Sequence, residues 1–194
     1  MAELLGEELL RRPDPEVATY ARLEAVDVRV SAAGEDGSGA TAVARVEAAS
    51  TVVRERLGDY IWAEGATTWS DAIGDRLSEL GWRIAVEEIG TAGQVAALFG
   101  DASWLSLAEA RPSGAGDADL TDRAMRVRAN GEAEVGVAVR VRPRGGELAV
   151  SVAVVTPNKE HRQTRATYGG GAMGRSQAAL ITAATLFDAL RDRS

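Results

Sequence analysis

Apolar and polar residues alternate with two different periods along the chain, and each period predicts one type of secondary structure. In the stretch 26–30, valines alternate with polar residues, which is typical of a half-buried strand. In the stretch 69–80, apolar residues are three and four positions apart, and Gly81 follows, which predicts a helix that ends there. The valine-rich stretches 135–141 and 148–155 predict two buried strands.

The same criteria assign the rest of the chain to helices and strands that alternate. Such alternation implies a three-layer α/β/α sandwich. The strands on either side of Pro157 follow each other closely, so part of the sheet should be antiparallel and the whole sheet mixed. The further predicted helices are 4–12, 43–57, 91–99, 120–129 and 175–191, and the further strands are 60–62, 83–86, 104–110 and 162–168.

The chain divides into two predicted parts near residue 65. Residues 1–65 form a small α+β module with a turn at 34–39, and residues 66–194 form the α/β/α domain. A module of about 60 residues buries too little apolar surface to be robust alone. We therefore expect the small module to depend on the larger domain, and the larger domain to fold independently.

Composition indicates a globular protein of a reducing compartment. The chain has 194 residues, of which 45% are hydrophobic and 26% are charged, and it contains no cysteine. Disulfides and thiolate chemistry are thereby excluded. Its apolar stretches are shorter than a membrane span, and its start lacks the pattern of a secretory signal. We therefore expect a cytoplasmic protein that does not bind membranes.

The net charge of −7 disfavours general nucleic-acid binding, which requires a basic surface. The GxxG pattern at 34–37 carries two acidic residues and follows a strand, so we interpret it as a plain turn. His161 is a general base by residue type, but its polar neighbours favour a solvated turn. Arg140, Arg142 and Arg144 either bind an anion or protect an exposed strand edge.

Several segments of the chain resemble a known family. The segment 16–22 reads EVATYAR, and the segment 52–62 reads VVRERLGDYIW. Both look like the small KH-like middle domain of the competence/damage-inducible CinA proteins. The segment 80–93 resembles the strand and turn, with the motif AESCTGG, that open the nicotinamide-nucleotide amidohydrolase domain of that family. The segment 168–175 is similar to the family's last glycine-rich turn.

The resemblance implies the amidohydrolase scaffold without its catalytic groups. In the family a serine attacks the substrate after a lysine has removed its proton. The serine position falls on Ile89, and the lysine segment falls on 110–114, which contains no lysine. The family's third motif, TGIAGPGG, keeps only a proline and the final glycines at 140–146. Lys159 is no substitute, because we predict it in a distant hairpin turn. We therefore expect no catalytic residue and no amidase activity.

The resemblance leaves five candidate ligand-binding residues. Glu88, Thr91 and Gly93 match the first motif, and Gly170 and Arg175 belong to the last turn. At such a site two helix starts would present N–H groups without partners, which attract a phosphate group. In the alternative interpretation, Glu88 is only a charged strand end and Thr91 caps the following helix. We expect neither a metal nor a cofactor.

Three functions remain open at this point. The first is a non-catalytic interaction or regulatory module that binds another protein. The second is an enzyme with a rebuilt site, which acts on a nucleotide-like amide such as nicotinamide mononucleotide and uses Thr91 or Ser113 with Glu88. The third is a pseudoenzyme that binds a nucleotide or another phosphate-bearing small molecule without turnover.

Overall fold

A computed structural model describes residues 2–21, 25–34, 41–114, 116 and 118–191 of the chain. The chain forms two compact units, Met1–Gly65 and Ala66–Ser194. Most of the turn predicted at 34–39 lies outside the described residues. Within the described ranges, no helix combines the length and the apolar character needed to cross a membrane.

The amino-terminal unit packs three helices against a two-stranded antiparallel sheet. The strands β1 (Glu16–Ala21) and β2 (Val26–Ser31) pair along their full length. The longest helix, α3 (Ala42–Leu57), is capped by Thr41, whose side chain accepts a hydrogen bond from the N–H of Ala44 at 3.2 Å. Together with α1 (Ala2–Leu5) and α2 (Glu7–Leu10), these elements enclose a small core of Leu5, Leu9, Val17, Val53 and Leu57.

Three details of this unit differ from the expectation. The predicted helix 4–12 is split at Gly6, whose φ of 76° lies outside the helical range. The expected strand 60–62 is instead a short 3-10 helix, Gly58–Tyr60, followed by irregular chain. The partner of β2 is β1, which the apolar pattern did not indicate because Val17 is its only buried residue.

The carboxy-terminal unit is built on a five-stranded mixed sheet in the order β4-β3-β5-β6-β7. The strand β3 is parallel to both β4 and β5, whereas β6 is antiparallel to both β5 and β7. The mixed sheet expected from the sequence is thus confirmed. Its strands are β3 (Ile84–Ile89), β4 (Leu105–Arg111), β5 (Val135–Arg144), β6 (Glu147–Val155) and β7 (Glu160–Ala166).

Helices cover both faces of this sheet. The helix α6 (Leu120–Asn130) lies on one face, against β3, β5 and β6. The helices α4 (Trp69–Leu80), α5 (Gln94–Phe99) and α7 (Gly171–Arg191) form the layer on the other face. Because both faces are covered, every residue of β3 is buried. The predicted three-layer α/β/α sandwich is confirmed.

Local sequence signals account for the best-defined parts of this unit. Thr68 and Asp71 form a capping box at the start of α4: the Thr68 hydroxyl accepts from the Asp71 N–H at 3.2 Å, and the Asp71 carboxylate accepts from the Thr68 N–H at 3.0 Å. Gly81 ends the helix as expected. Gly136 lets α6 approach β5, because a Cβ there would lie 1.9 Å from the Ala124 carbonyl oxygen.

Three boundaries in this unit were predicted incorrectly. The helix α7 begins at Gly171, earlier than the expected residue 175, and α5 begins at Gln94, later than the expected residue 91. The last strand begins at Glu160, earlier than the expected residue 162. His161 therefore lies half-buried in β7 opposite Val154, and not in a solvated turn.

Candidate functional site

The strand β3 ends at Ile89 and leads through a tight turn into α5. The N–H of Gly90 donates a hydrogen bond to the carbonyl of Arg111 at 2.9 Å. Gly90 has a φ of 79°, and a Cβ at this position would lie 2.7 Å from the Ser113 hydroxyl oxygen. Both the backbone conformation and the close neighbour therefore require glycine here.

The carboxylate of Glu88 is fully buried and closes the start of α5. Its Oε2 accepts a hydrogen bond from the Val95 N–H at 3.0 Å, and its Oε1 accepts one from the Ala96 N–H at 3.2 Å. The Thr91 hydroxyl donates to the same carboxylate. A side chain of the protein itself thus satisfies two of the N–H groups that the start of this helix leaves without intrahelical partners.

This arrangement corrects two expectations. Thr91 does not cap the helix, because α5 begins at Gln94 and the left-handed Gly93, with a φ of 81°, precedes it. The N–H groups of Val95 and Ala96 are also not available to an external anion, because both donate to Glu88. The sequence contained one signal for this outcome, namely two adjacent acidic residues in a strand that is otherwise apolar.

Ile89, at the position that the resemblance gives to the serine, lies beside the first residues of the segment 110–114, in which the resemblance places the lysine. Ile89 is only 1% exposed, and it pairs with Arg111 of β4. The Arg111 Nε lies 2.8 Å from Glu87 Oε1, and its Nη2 lies 2.7 Å from Glu109 Oε2. The hydrogen bond that Arg111 donates to Glu109, followed by the negative charges of Glu87 and Glu109, raises the pKa of Arg111 above its usual value. A guanidinium held in this way cannot accept a proton.

Glu87 is the centre of a charged cluster that the sequence did not indicate. Its side chain is completely buried, yet three arginines contact it. Arg123 Nη1 lies 2.5 Å from Oε1, and Arg126 Nη2 lies 2.5 Å from Oε2. Because successive residues of a strand point to opposite faces, Glu87 meets α6 while Glu88 meets α5.

The last glycine-rich turn lies beside the start of α5. A hydrogen bond of 3.1 Å joins the Ser176 hydroxyl to Gln94 Oε1, so the first turns of α7 and α5 are neighbours. Arg175 is half-buried and has no hydrogen bond or ion pair within the described part of the chain. A Cβ at Gly170 would lie 3.2 Å from the Gly146 carbonyl oxygen, so this turn packs against the β5–β6 hairpin.

The remaining basic residues have separate places. Arg140 donates from Nη2 to the carbonyls of Gly116 and Ala118, at 3.1 and 2.9 Å, and so holds the loop before α6. Among the described residues, the pairing of β5 with β3 ends at Arg140, whereas its pairing with β6 continues to Arg144. Lys159 lies in the turn between β6 and β7. Across the described ranges, no group of three His, Asp or Glu side chains is placed to hold a metal ion.

Residues 1–63 match the family described as the damage-inducible protein CinA KH domain. The CinA-like protein of Deinococcus radiodurans is 39% identical over 101 residues, which are 52% of this chain and 24% of that protein. The CinA-like protein of Deinococcus deserti is 39% identical over 104 residues, with the same shares of the two chains. The chain therefore spans about a quarter of the length of these curated relatives.

Solved structures share the fold of this chain. A competence or damage-inducible protein from Enterobacter asburiae superposes with a TM-score of 0.51 at 16% identity, covering 64% of this chain and 99% of that chain. A CinA superfamily protein from Klebsiella pneumoniae 700603 gives the same TM-score and identity, with coverages of 63% and 95%. The KH-domain match and the curated relatives support a relation of this chain to the competence/damage-inducible CinA family, whereas the solved structures, at 16% identity, show a shared fold alone.

Proposed function

We propose that this chain is a non-catalytic member of the CinA family that serves as an interaction or regulatory module. The observation that carries the proposal is the pair Ile89 and Arg111. A buried alkyl side chain stands where the resemblance implies the nucleophile, and a guanidinium held by two carboxylates lies beside it. Covalent catalysis of this type needs both a nucleophile and a base.

The hydroxyl groups near this turn offer little support for a rebuilt site. Thr91 is fully buried, and its hydroxyl donates to Glu88, so it is closed to a substrate. Ser113 is exposed and lies close to Gly90. Within the described part of the chain, however, its hydroxyl has no hydrogen bond to a carboxylate or imidazole that could take its proton.

The direct test is deamidation of nicotinamide mononucleotide by the purified protein. We expect no ammonia release above background. A CinA-family protein that keeps both the serine and the lysine serves as the positive control in the same assay. Turnover above about 0.1 s⁻¹, already far below the usual range of enzymes, would overturn the proposal.

The variant Ile89→Ser separates the loss of the nucleophile from the loss of the base. We expect this variant to remain inactive, because Arg111 stays protonated and no other described group lies ready to activate the new hydroxyl. Circular dichroism confirms that the variant is folded. Ammonia release by this variant would mean that a base is present and that the nucleophile alone was lost.

A second candidate function, a nucleotide-binding pseudoenzyme, is favoured by one observation. The starts of α5 and α7 are neighbours, and the Arg175 guanidinium next to them has no described partner. Thermal shift with nicotinamide mononucleotide tests this candidate, with Arg175→Ala as the variant and Arg165→Ala, an exposed arginine of β7, as the control. We expect millimolar affinity that salt weakens. Micromolar, salt-insensitive binding lost only in Arg175→Ala would favour the pseudoenzyme over the interaction module.

A further inference from the structure

The strand β2 of the amino-terminal unit has one edge that no described strand covers. The sheet of this unit has the order β1-β2, so within the described residues β2 pairs with β1 along its other edge only. The N–H and C=O groups along an open edge are able to pair with a strand of another chain. The open edge of β2 is therefore a candidate interaction surface.

The valines of β2 are incompletely covered. Val28 and Val30 pack against the small core but are only half-buried, and Val26 is 41% exposed. In β1, by contrast, Val17 is 2% exposed. Since alternate residues of a strand share a face, the three valines of β2 form one apolar row on the face that also carries the core. A further strand that extended the sheet beyond β2 would cover part of this row.

The sequence of β2 is self-complementary in the antiparallel direction. Residues 26–30 read VDVRV, so a reversal of the strand about Val28 exchanges Asp27 with Arg29 and leaves valines at the other positions. In a copy of β2 paired in this register, each Asp27 lies opposite an Arg29 and each valine lies opposite a valine. Opposite charges directly across from each other stabilise an antiparallel pair. The strand β1, which reads EVATYA, has a single charged residue and therefore has no such register.

We propose that β2 is a dimerisation strand, which pairs antiparallel with β2 of a second copy of this chain about a two-fold axis through Val28. The two copies then share a four-stranded sheet in the order β1-β2-β2-β1. A two-fold axis perpendicular to the sheet keeps the valines of both copies on one face, so the register that pairs the charges also joins the two apolar rows. The dimer goes beyond the proposed function, because it requires neither catalysis nor a ligand.

The contacts of the two charged residues within the chain are compatible with this pairing. Asp27 has an interaction within the chain, but a carboxylate accepts several hydrogen bonds. The Arg29 guanidinium lies over the Tyr20 ring, 4.9 Å from its centroid. A guanidinium that stacks on a ring through its flat face keeps N–H groups at its edge for a carboxylate.

Sedimentation equilibrium of the full chain, from about 10 μM to about 1 mM in about 0.15 M sodium chloride, measures the association. A pair of short strands buries little surface, so we expect a weak dimer with a dissociation constant of about 100 μM. Arg29→Asp and Asp27→Arg should each weaken the association about tenfold, because each places like charges opposite each other. The matched controls Arg11→Asp and Glu7→Arg change an exposed ion pair outside β2 and should associate like the unchanged protein.

An equimolar mixture of Arg29→Asp and Asp27→Arg tests the register itself. One variant carries aspartate at both positions and the other carries arginine at both, so a heterodimer regains two pairs of opposite charge. We expect the mixture to associate about as strongly as the unchanged protein and about tenfold more strongly than either variant alone. If the two residues acted only within one chain, mixing would restore nothing.

A single introduced cysteine gives a second test, because the chain contains no cysteine of its own. Val28→Cys places one thiol of each copy beside the two-fold axis, within the Cα separation that a disulfide requires, so mild oxidation should give a covalent dimer. Ala18→Cys, at a similarly half-buried position of β1, should remain a monomer on a non-reducing gel. If the charge variants do not fold, this comparison decides alone. A monomer at every concentration, a mixture no more associated than its components, or equal cross-linking of the two cysteine variants would overturn the proposal.

Discussion

The two units of the chain distribute charge differently. Residues 1–65 carry seven arginines and thirteen acidic residues, a net charge of −6, whereas residues 66–194 carry fifteen cations and sixteen acidic residues. The amino-terminal unit resembles a KH domain in sequence, but its acidic character disfavours the phosphate backbone of nucleic acids. Membership of a nucleic-acid-binding fold class is therefore no argument for nucleic-acid binding here.

Two particular sets of ion pairs, one in each unit, differ in depth, although the Arg45–Asp14 pair of the amino-terminal unit is also partly buried. In the amino-terminal unit, Arg54 pairs with Glu47 and Glu64 at side chains that are all at least 43% exposed. In the carboxy-terminal unit, ion pairs surround the fully buried Glu87. Exposed pairs contribute little to stability, whereas breaking a buried pair leaves a charge without compensation. We therefore expect the removal of one partner to destabilise the chain more at Glu87 than at the exposed Arg54 pairs.

The largest expected effect is the difference between the two units as separate fragments. Residues 66–194 should unfold in one cooperative transition, because this unit contains the continuous buried sheet. Residues 1–65 should show weak or no cooperativity, because their core is small. Circular dichroism melts of both fragments test this prediction. A molten 66–194 fragment beside a cooperatively folded 1–65 fragment would reverse it.

Removal of the buried carboxylate at Glu88 should cost about 3 kcal/mol of unfolding free energy. Glu88→Ala leaves the buried Val95 N–H and Thr91 hydroxyl, and the partly buried Ala96 N–H, without their acceptor. The matched change Glu64→Ala, in the exposed pair with Arg54, should lower the unfolding free energy much less. Urea unfolding of the full chain measures both. Similar losses of unfolding free energy in the two variants would mean that the buried and the exposed carboxylate contribute equally to stability.

A threonine side chain caps one helix in each unit, which allows the same chemical change in both. Thr68→Ala removes the capping box of α4, and Thr41→Ala removes the side-chain cap of α3. Each change should cost about 1 kcal/mol locally. Hydrogen exchange should show reduced amide protection across the carboxy-terminal unit for Thr68→Ala. For Thr41→Ala, amide protection should fall only in α3. A loss from Thr41→Ala that spreads to the β3 amides would mean that the two units unfold together.

The smallest expected effect is that the contributions of Asp71 and Glu64 to stability at acid pH depend differently on salt. Hydrogen bonds from the Thr68 side chain and backbone lower the pKa of Asp71, and the hydrogen bond and charge of Arg54 lower the pKa of Glu64. Each contribution to stability is present above the unfolded pKa, near pH 4, and is lost as the pH falls through the lowered folded pKa. The Glu64 contribution should also disappear in 1 M sodium chloride, because its partner is charged.

Thermal melts of Asp71→Asn and Glu64→Gln between pH 7 and pH 2.5, at low and high salt, measure these contributions. The difference in melting temperature between Asp71→Asn and the unchanged protein should persist at high salt. A salt-sensitive Asp71 difference, or a salt-insensitive Glu64 difference, would contradict the assignment of the two causes.

Much of the fold could be predicted because its signals are local. Thr68, Asp71 and Gly81 mark the two ends of α4 within the helix's own sequence, and the helical spacing between them gives its buried face. The alternation of helices and strands was sufficient to indicate the mixed α/β/α sandwich. The strand β1 was missed because Val17 is its only buried residue, so its pairing with β2 is visible only in the fold.

The adjacent residues Glu87 and Glu88 show where the sequence by itself ceased to be sufficient. The sequence determined that two identical side chains point to opposite faces of one strand. Only the tertiary structure decided that one meets the arginines of α6 and the other meets the start of α5. The physical reason is that helix ends and amphipathic faces depend on residues close in sequence. The partner of a buried charge depends on which distant segments the fold brings within hydrogen-bonding distance.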